Sequence, residues 1–200
     1  MIERGPYKIG LTGSIGMGKS TVSAMFADAG AAVWDADGAV HRLYQPEQAG
    51  FAAIQSLSPD AATPDGVDRK ILSSQIAADP GLLPRIEAAI HPLVARDRAA
   101  FLADCTSDIA VLDIPLLFET GDPADFDMIA VVSAGTETQR ARVLARPGMT
   151  AEKFDMILSK QMPDREKRAR ADVVIPTDVP LEETAKIVTS LVTSIRETVS

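Results

Sequence analysis

The sequence predicts an α/β protein in which helices cover both faces of a doubly wound, parallel, five-stranded sheet. Short apolar runs alternate with helical patterns along the chain, and a glycine-rich segment follows the first apolar run. Strands that alternate with helices favour right-handed crossovers and parallel pairing, and uninterrupted apolar runs are typical of strands buried on both faces. The predicted strands are residues 7–11, 32–34, 109–114, 128–132 and 173–175.

Helical periodicity fills the intervals between these strands, because apolar residues recur there every three or four positions. Two hundred residues suit one domain with a smaller inserted or lid segment. The last helix carries an apolar stripe formed by Ile187, Leu191 and Ile195, and we expect it to be purely structural. The predicted helices are residues 20–29, a set within 37–103, 136–145, 151–161 and 181–198.

The composition limits the partners and the compartment of the protein. No apolar run approaches the length that spans a bilayer, so we expect no membrane association. Cys105 is the only cysteine, which excludes an internal disulfide and fits a reducing, cytoplasmic location. The net charge of −8 argues against nucleic acid as a partner. We expect a monomer and leave an oligomer open.

Positive charge is concentrated in one segment of this acidic chain. Residues 139–170 contain nine lysines and arginines against four acidic residues. A basic segment in an otherwise acidic protein indicates cations reserved for a polyanionic ligand. The alternative is a solvated helix face, and several of these nine side chains are expected to be only that.

A phosphate-binding loop is the strongest single motif. Residues 13–20 read Gly-Ser-Ile-Gly-Met-Gly-Lys-Ser and fit the pattern G-x-x-x-x-G-K-[ST], which wraps the phosphates of a nucleoside triphosphate. Glycines let successive N–H groups converge on one anion, Lys19 supplies a cation for the β- and γ-phosphates, and the Ser20 hydroxyl can ligate Mg²⁺. The alternative is a glycine-rich turn without a ligand, but the strand and helix that flank this segment favour nucleotide binding.

Acidic residues follow the second and third predicted strands, and ligands of such folds bind beyond the carboxyl ends of the strands. We expect Asp37 to act as a base and Asp35 to cap a helix or associate with a metal. Asp113 would order Mg²⁺ waters beside Ser20, although an acid at a strand end is often only a turn residue. Residues 116–118 form either a wall for an organic substrate or a packed corner of the core.

Arg142 and Arg146 are four residues apart, so on one helix they would share a face and form a two-pronged clamp. Such arginines neutralise the charge that spreads over a phosphoryl group in transfer. Pro147 and Gly148 break the helix directly behind them. A helical hairpin with this corner is expected to be a mobile lid that excludes water.

Several blocks of sequence occur together in a fixed order and spacing between about residues 9 and 176. They are residues 10–21, 35–37, 68–69, 91–92, 113–119, Gln139 with Arg142 and Arg146, Gln161, and residues 171–175. In this combination the chain resembles the dephospho-CoA kinase family. The resemblance implies a P-loop kinase with a core (residues 7–36, 107–135 and 171–200), a helical substrate-binding segment (37–106) and a helical lid (136–170).

The resemblance also implies an activity and a set of site residues. ATP would donate its γ-phosphoryl group to the ribose 3′-hydroxyl of dephospho-CoA. Lys19, Asp37 and one of Arg142 and Arg146 would be catalytic. His91 precedes a proline, so we expect it to be a hydrogen-bonding residue at a helix end without a catalytic role. The residues that would hold the ATP phosphates are Gly13, Gly16, Met17, Gly18, Lys19, Ser20 and Thr21. The residues that would bind the metal are Ser20, Asp35 and Asp113. The residues that would receive dephospho-CoA are Asp37, Arg69, His91, Leu116 and Leu117.

The chain departs from the family pattern after Ile175, where Pro176 and Thr177 stand in place of an asparagine, which puts a contact to the nucleotide base in doubt. Two other functions stay open. One is a different P-loop small-molecule kinase, acting on a nucleoside monophosphate or a sugar acid. The other is a nucleotide-dependent regulatory module, against which stands the absence of a guanine-reading Asn-Lys-x-Asp motif.

Overall fold

The computed structural model describes residues 5–121 and 123–199, and of Val199 only the backbone. The chain divides into two compact units, one made of the residues up to Trp34 and from Cys105 onward, the other of Asp35–Asp104. The strands are β1 (Tyr7–Thr12), β2 (Ala32–Asp35), β3 (Ala62–Thr63), β4 (Gly66–Val67), β5 (Ile109–Asp113), β6 (Met128–Ser133) and β7 (Val173–Pro176). The helices are α1 (Lys19–Asp28), α2 (Ala36–Leu43), α3 (Ala49–Leu57), α4 (Arg69–Ala78), α5 (Leu82–Ala103), α6 (Leu117–Thr120), α7 (Thr136–Leu144), α8 (Ala151–Leu158), α9 (Asp164–Arg170) and α10 (Leu181–Val199).

Five strands form the main sheet in the order β2-β5-β1-β6-β7. The strand β1 lies at the centre and pairs in parallel with β5 on one side and β6 on the other, and β6 pairs in parallel with β7. The predicted α/β class with a parallel, five-stranded sheet is confirmed. Each of these five strands ends within one residue of its predicted bounds, because each coincides with a run rich in apolar residues.

The core of the first unit lies between the sheet and the helices α1 and α10. Ile9 and Val132 of the sheet are fully buried, as are Val22 and Phe26 of α1. The buried stripe of α10 is not the predicted one. It is made of Val188, Val192 and Ile195, whereas Ile187 and Leu191 are only half-buried. The expected 3.6-residue period is present, but its phase is shifted by one residue at two of the three positions.

The second unit contains α2–α5 and the short antiparallel pair β3–β4. Its apolar core includes Ile54 of α3, Leu72 of α4, and Ile86 and Ile90 of α5. The Arg42 guanidinium donates to the Asp97 carboxylate at 2.7 Å, which links α2 to α5. Among the described residues, none of the helices combines the length and the apolar character that crossing a membrane requires.

Arg196 joins the last helix to the carboxyl end of α1. Its Nε donates to Asp108 Oδ2 at 2.8 Å, and its terminal nitrogens donate to the carbonyl oxygens of Ala29 at 3.2 Å and Gly30 at 3.3 Å. The hydrogen bond from Arg196 lowers the pKa of Asp108 below the ordinary value of a carboxyl group. A cation at the end of a helix also complements the negative end of its dipole.

Asp108→Asn should lower the melting temperature at neutral pH by about 1–3 °C, a small amount because the ion pair is exposed to solvent. Because the folded-state pKa of Asp108 is lowered, the carboxylate stabilises the fold above its ordinary pKa and loses that contribution as the pH falls through its folded-state pKa. Thermal unfolding from pH 7 to pH 2 tests this, with Asp65→Asn, at an exposed position, as the control. A difference from the unmodified protein that grows on acidification would contradict the prediction.

Candidate active site

The glycine-rich turn between β1 and α1 has the backbone that anion binding requires. Gly16 has a φ of 79° and Gly18 a φ of 89°, in the left-handed region that favours glycine. Gly18 is the N-cap of α1, with no capping side chain and no acidic residue in the first turn of the helix. The amides at this helix start are therefore available to a negatively charged ligand, which the helix dipole also attracts.

Packing also demands glycine at two of these positions. A Cβ on Gly13 would lie 2.7 Å from the carbonyl oxygen of Val132 in β6. A Cβ on Gly16 would collide with the Val143 side chain and lie 3.1 Å from the carbonyl oxygen of Gln139, both in α7. The sheet and α7 therefore press directly on the turn, which leaves no room for a larger residue.

Lys19, the first residue of α1, forms an ion pair with Asp113, the last residue of β5. The parallel register places Leu11 opposite Asp113, and the Asp113 side chain is almost fully buried. Ser20, the next residue after Lys19, is exposed. The structure thus brings together the predicted phosphate cation and one of the acids predicted to associate with the metal.

The other residues predicted to hold the phosphates lie in the same turn. The Met17 side chain is buried, its N–H donates to the carbonyl oxygen of Ser14 at 3.2 Å, and its carbonyl oxygen accepts from Thr177. The N–H of Thr21 donates to the carbonyl oxygen of Gly18 at 3.1 Å inside the first helical turn. Met17 and Thr21 therefore shape the loop through their backbones.

This donor set fits a triphosphate with one magnesium ion. Two positive-φ glycines, an uncapped helix start and a lysine form an anion site, and an exposed serine directly follows the lysine that pairs with a buried aspartate. The described residues contain no cluster of three or more His, Cys, Asp or Glu side chains that could hold a metal. Magnesium keeps several waters and shares its coordination with substrate phosphates, so a dedicated protein cage is not required.

Arg142 reaches from α7 to the loop that follows β7. Its terminal nitrogens donate to Thr177 Oγ1 at 3.0 Å and to the Thr177 carbonyl oxygen at 2.6 Å. The Thr177 hydroxyl in turn donates to the Met17 carbonyl oxygen at 2.6 Å. Arg146 lies elsewhere, because α7 ends at Leu144 and Arg146 is exposed in the turn beyond it. The two arginines therefore do not share one helix face as predicted, and their joint action stays a prediction.

A buried ion pair holds the segment after β5 to α9. The Nζ of Lys167, a residue with no solvent exposure, lies 2.8 Å from Glu119 Oε1. The same carboxylate oxygen accepts from the N–H of Met162 at 2.7 Å. Nearby, the Ser133 hydroxyl donates to Asp164 at 2.8 Å. These contacts fix the connection between α8 and α9 to the core of the first unit.

In the second unit, Asp35 is the N-cap of α2, and its carboxylate accepts from the N–H groups of Asp37 at 3.1 Å and Gly38 at 2.8 Å. The cap alternative predicted for Asp35 is therefore present, and the Asp37 side chain is exposed in the first helical turn. The predicted substrate residue Arg69 is exposed, with its guanidinium carbon 5.8 Å from the centroid of the Tyr44 ring. Burial raises the pKa of Tyr44, and the charge of Arg69 partly offsets this.

Two of the predictions need correction. His91 is not at a helix end, because α5 continues through Pro92 to Ala103, and the His91 side chain is exposed in the middle of that helix. Leu117 is fully buried against Ile129 and Val131, so it belongs to the core and does not face a substrate. Leu116 is 38% exposed and remains a candidate for the substrate wall.

The fold and the phosphate loop together define a class, the P-loop kinases. A crystal structure of a Thermus thermophilus protein has a TM-score of 0.83 and 32% sequence identity, covering 96% of this chain and 98% of that chain. The dephospho-CoA kinase from Campylobacter jejuni has a TM-score of 0.64 at 19% identity, covering 95% and 97% of the two chains, and this likeness supports the fold alone.

The sequence comparisons define the family. The model of the family described as dephospho-CoA kinase matches residues 7–183. The dephospho-CoA kinase of Cereibacter sphaeroides is 54% identical over 193 residues, which cover 96% of this chain and 98% of the relative. The chain therefore belongs to the dephospho-CoA kinase family, and the resemblance carried by its motifs is confirmed.

Four contacts of the site were not predicted from the sequence. They are the bond from Thr177 to the phosphate loop, the ion pair between Lys167 and Glu119, and the bonds of Gln139 and Gln161 to the loop residue Ile15. In the sequence, nothing distinguishes Lys167 from the other lysines and arginines of the basic segment. The only signal that could have singled out the two glutamines was their place among the family's motif blocks.

Lys167→Met should lower the free energy of unfolding by about 3–5 kcal/mol, because it leaves the Glu119 carboxylate without its buried partner. In the double variant with Glu119→Gln, the loss should be smaller than the sum of the two single losses, since no unpaired charge remains. Urea unfolding measures both values. Lys160→Met, at an exposed lysine of the same basic segment, should change stability little, and additive losses in the double variant would contradict the buried pairing.

Proposed function

We propose that this protein is a kinase that transfers the γ-phosphoryl group of ATP to the ribose 3′-hydroxyl of dephospho-CoA, giving coenzyme A and ADP. The observation that carries the proposal is the ion pair between Lys19 and Asp113, in which Lys19 directly follows a turn that contains two positive-φ glycines. The chain belongs to the dephospho-CoA kinase family. The turn supplies amides and a cation for phosphates, and family membership supports the choice of acceptor.

The chemistry is an in-line displacement at phosphorus. The 3′-oxygen of the acceptor forms a bond to the γ-phosphorus while the bond from that phosphorus to the bridging oxygen of ADP breaks. Asp37 accepts the proton of the attacking hydroxyl, a role that suits its exposed carboxylate in the first turn of α2. Lys19 and the loop amides hold the β- and γ-phosphates and neutralise the charge that develops on them.

The metal belongs to the same proposal. Ser20 through its hydroxyl and Asp113 through ordered water would hold a magnesium ion, and Asp35 is a further candidate ligand through a carboxylate that already caps α2. When bound, magnesium would supply positive charge that offsets the negative charge of the phosphates. Asp113 is suited to this role because it is nearly buried at a strand end and pairs with Lys19 of the phosphate loop.

The remaining predicted residues bind the acceptor in this proposal. Arg69 offers a cation supported by the Tyr44 ring, and Leu116 offers an exposed apolar surface. The segment 37–106 would serve as the substrate-binding part, and the segment 136–170 would serve as the lid. The protein would act in the cytoplasm as a monomer, with an oligomer possible, and would have neither a nucleic acid nor a membrane as partner.

A coupled assay of ADP release decides between acceptors. With ATP and magnesium present, dephospho-CoA should give turnover, whereas AMP, CMP and gluconate should give little. Asp37→Asn should keep ATP binding intact, because it changes only the proton acceptor, and should lower turnover by about 10²–10⁴-fold.

Asp65→Asn serves as the matched control for that variant, because it makes the same chemical change at another exposed position of the second unit. Preference for AMP, CMP or gluconate would replace dephospho-CoA by another small-molecule acceptor. Slow ATP hydrolysis that no acceptor stimulates would indicate a regulatory module instead. Near-normal turnover of Asp37→Asn would remove Asp37 as the base.

The two lid arginines should differ in their effects. Arg146 is exposed in the turn beyond α7, and we propose that it stabilises the transition state, so that Arg146→Ala lowers kcat by about 10³–10⁵-fold. Arg142 is held on Thr177 beside the phosphate loop, so Arg142→Ala should chiefly raise the KM for ATP. Steady-state kinetics with both substrates varied measure the two effects, and equal, mild changes would contradict this division of roles.

A further inference from the structure

Two glutamines form hydrogen bonds with the backbone of Ile15 in the phosphate loop. Gln161, in the connection after α8, accepts from the N–H of Ile15 through its Oε1 at 3.0 Å. Gln139, in α7, donates from its Nε2 to the carbonyl oxygen of Ile15 at 2.8 Å. The two side chains therefore bind two successive peptide groups of the loop, one through its donor and the other through its acceptor.

The planarity of the peptide bond converts these contacts into an orientation of the loop. In a trans peptide the C=O and the N–H point in opposite directions. Because Gln139 binds the carbonyl of the Ile15–Gly16 peptide, the N–H of Gly16 points away from Gln139. Because Gln161 binds the N–H of the Ser14–Ile15 peptide, the Ser14 carbonyl points the other way, where it accepts from the N–H of Met17 at 3.2 Å.

Glycine at position 16 makes this orientation reversible. A peptide flip changes ψ of Ile15 and φ of Gly16, and glycine tolerates φ values of either sign. The observed φ of Gly16 is 79°. A flip would turn a carbonyl oxygen, with its partial negative charge, toward the side on which the loop presents N–H groups. The hydrogen bond from Gln139 opposes this flip.

The glutamines are themselves fixed by buried contacts. Gln139 is only 5% exposed and lies in α7 beside Val143, which packs against Gly16. Gln161 is followed by Met162, whose N–H donates to Glu119, and Glu119 is paired with the fully buried Lys167. A continuous set of contacts thus runs from α9 through Glu119 and Gln161 to the phosphate loop.

We propose that Gln139 and Gln161 are positioning residues that lock the Gly16 amide toward the nucleotide phosphates and couple the basic segment to the loop. This inference rests on the proposed function, since it assigns the locked amide to ATP. Neither glutamine contacts the reacting atoms in this proposal. Their effect is exerted through the orientation of the two peptide groups that flank Ile15, so hydrogen-bond polarity, and not side-chain volume, decides whether a replacement is tolerated.

Two charge-matched variants separate polarity from volume and charge. Gln161→Glu keeps an oxygen acceptor for the Ile15 N–H, whereas Gln139→Glu places an acceptor against the Ile15 carbonyl and favours the flipped peptide. We expect the Kd for an ATP analogue to rise by about 30–100-fold in Gln139→Glu and by less than about 5-fold in Gln161→Glu, since an unsatisfied polar pair costs far more than an exchanged acceptor. The KM for dephospho-CoA should change little in either variant.

Gln139→Met and Gln161→Met remove the hydrogen bonds at similar volume and keep the test valid if Gln139→Glu fails to fold. Each should raise the Kd for the ATP analogue about 10-fold, the loss expected for one hydrogen bond to a buried polar group. Gln55→Met, at an exposed position of α3, should leave the Kd for the ATP analogue and the KM for dephospho-CoA unchanged.

The outcomes distinguish the inference from the function on which it rests. Equal Kd values for Gln139→Glu and Gln161→Glu, or methionine variants with normal ATP affinity, would overturn the positioning role while dephospho-CoA turnover persists in the unmodified protein. A loss of affinity for both substrates together with a lower melting temperature would mean that the glutamines act only on stability. Failure of the unmodified protein to bind ATP would overturn the proposed function itself.

Discussion

The ion pair between Lys19 and Asp113 joins the first residue of α1 to the last residue of β5, and the candidate site depends on it. The backbone register that places Leu11 opposite Asp113 is extended by a hydrogen bond from the N–H of Ile114 to the Leu11 carbonyl oxygen at 2.9 Å. Charged groups are rarely buried unless they are paired, so the parallel pairing of β1 with β5 determines where the lysine side chain can lie. The glycine turn leads directly into that lysine, and α7 packs against the turn.

Local patterns were sufficient to predict the sheet and the phosphate loop. The five strands of the main sheet were placed within one residue because each is a run rich in apolar residues, and the loop was found because its residues are contiguous in the sequence. Features that depend on helix phase or helix length were predicted less well. The buried stripe of α10 uses Val188 and Val192 and not their neighbours, α5 continues through Pro92, and α7 ends two residues before Arg146.

The contacts that shape the loop could not be predicted, because they join residues that are distant in sequence. Gln139 and Gln161 lie 124 and 146 positions from Ile15, and Thr177 lies 160 positions from Met17. Each bond exists only when several elements of the first unit have packed, and no local period marks it. Thr177 illustrates the point: the sequence only put a contact to the nucleotide base in doubt there, whereas the structure gives the Thr177 hydroxyl and carbonyl four hydrogen bonds within the protein.

The burial of Lys167 against Glu119 has an evolutionary consequence. Losing one partner strands the other charge in the interior, whereas neutral side chains of similar volume at both positions can pack without that penalty. Natural selection should therefore remove variants in which only one of the two residues is replaced. An uncharged pair can be reached through single replacements only by way of such a poorly folded intermediate. Descendants of this lineage should consequently inherit the two residues as a linked set, either both ionic or both neutral.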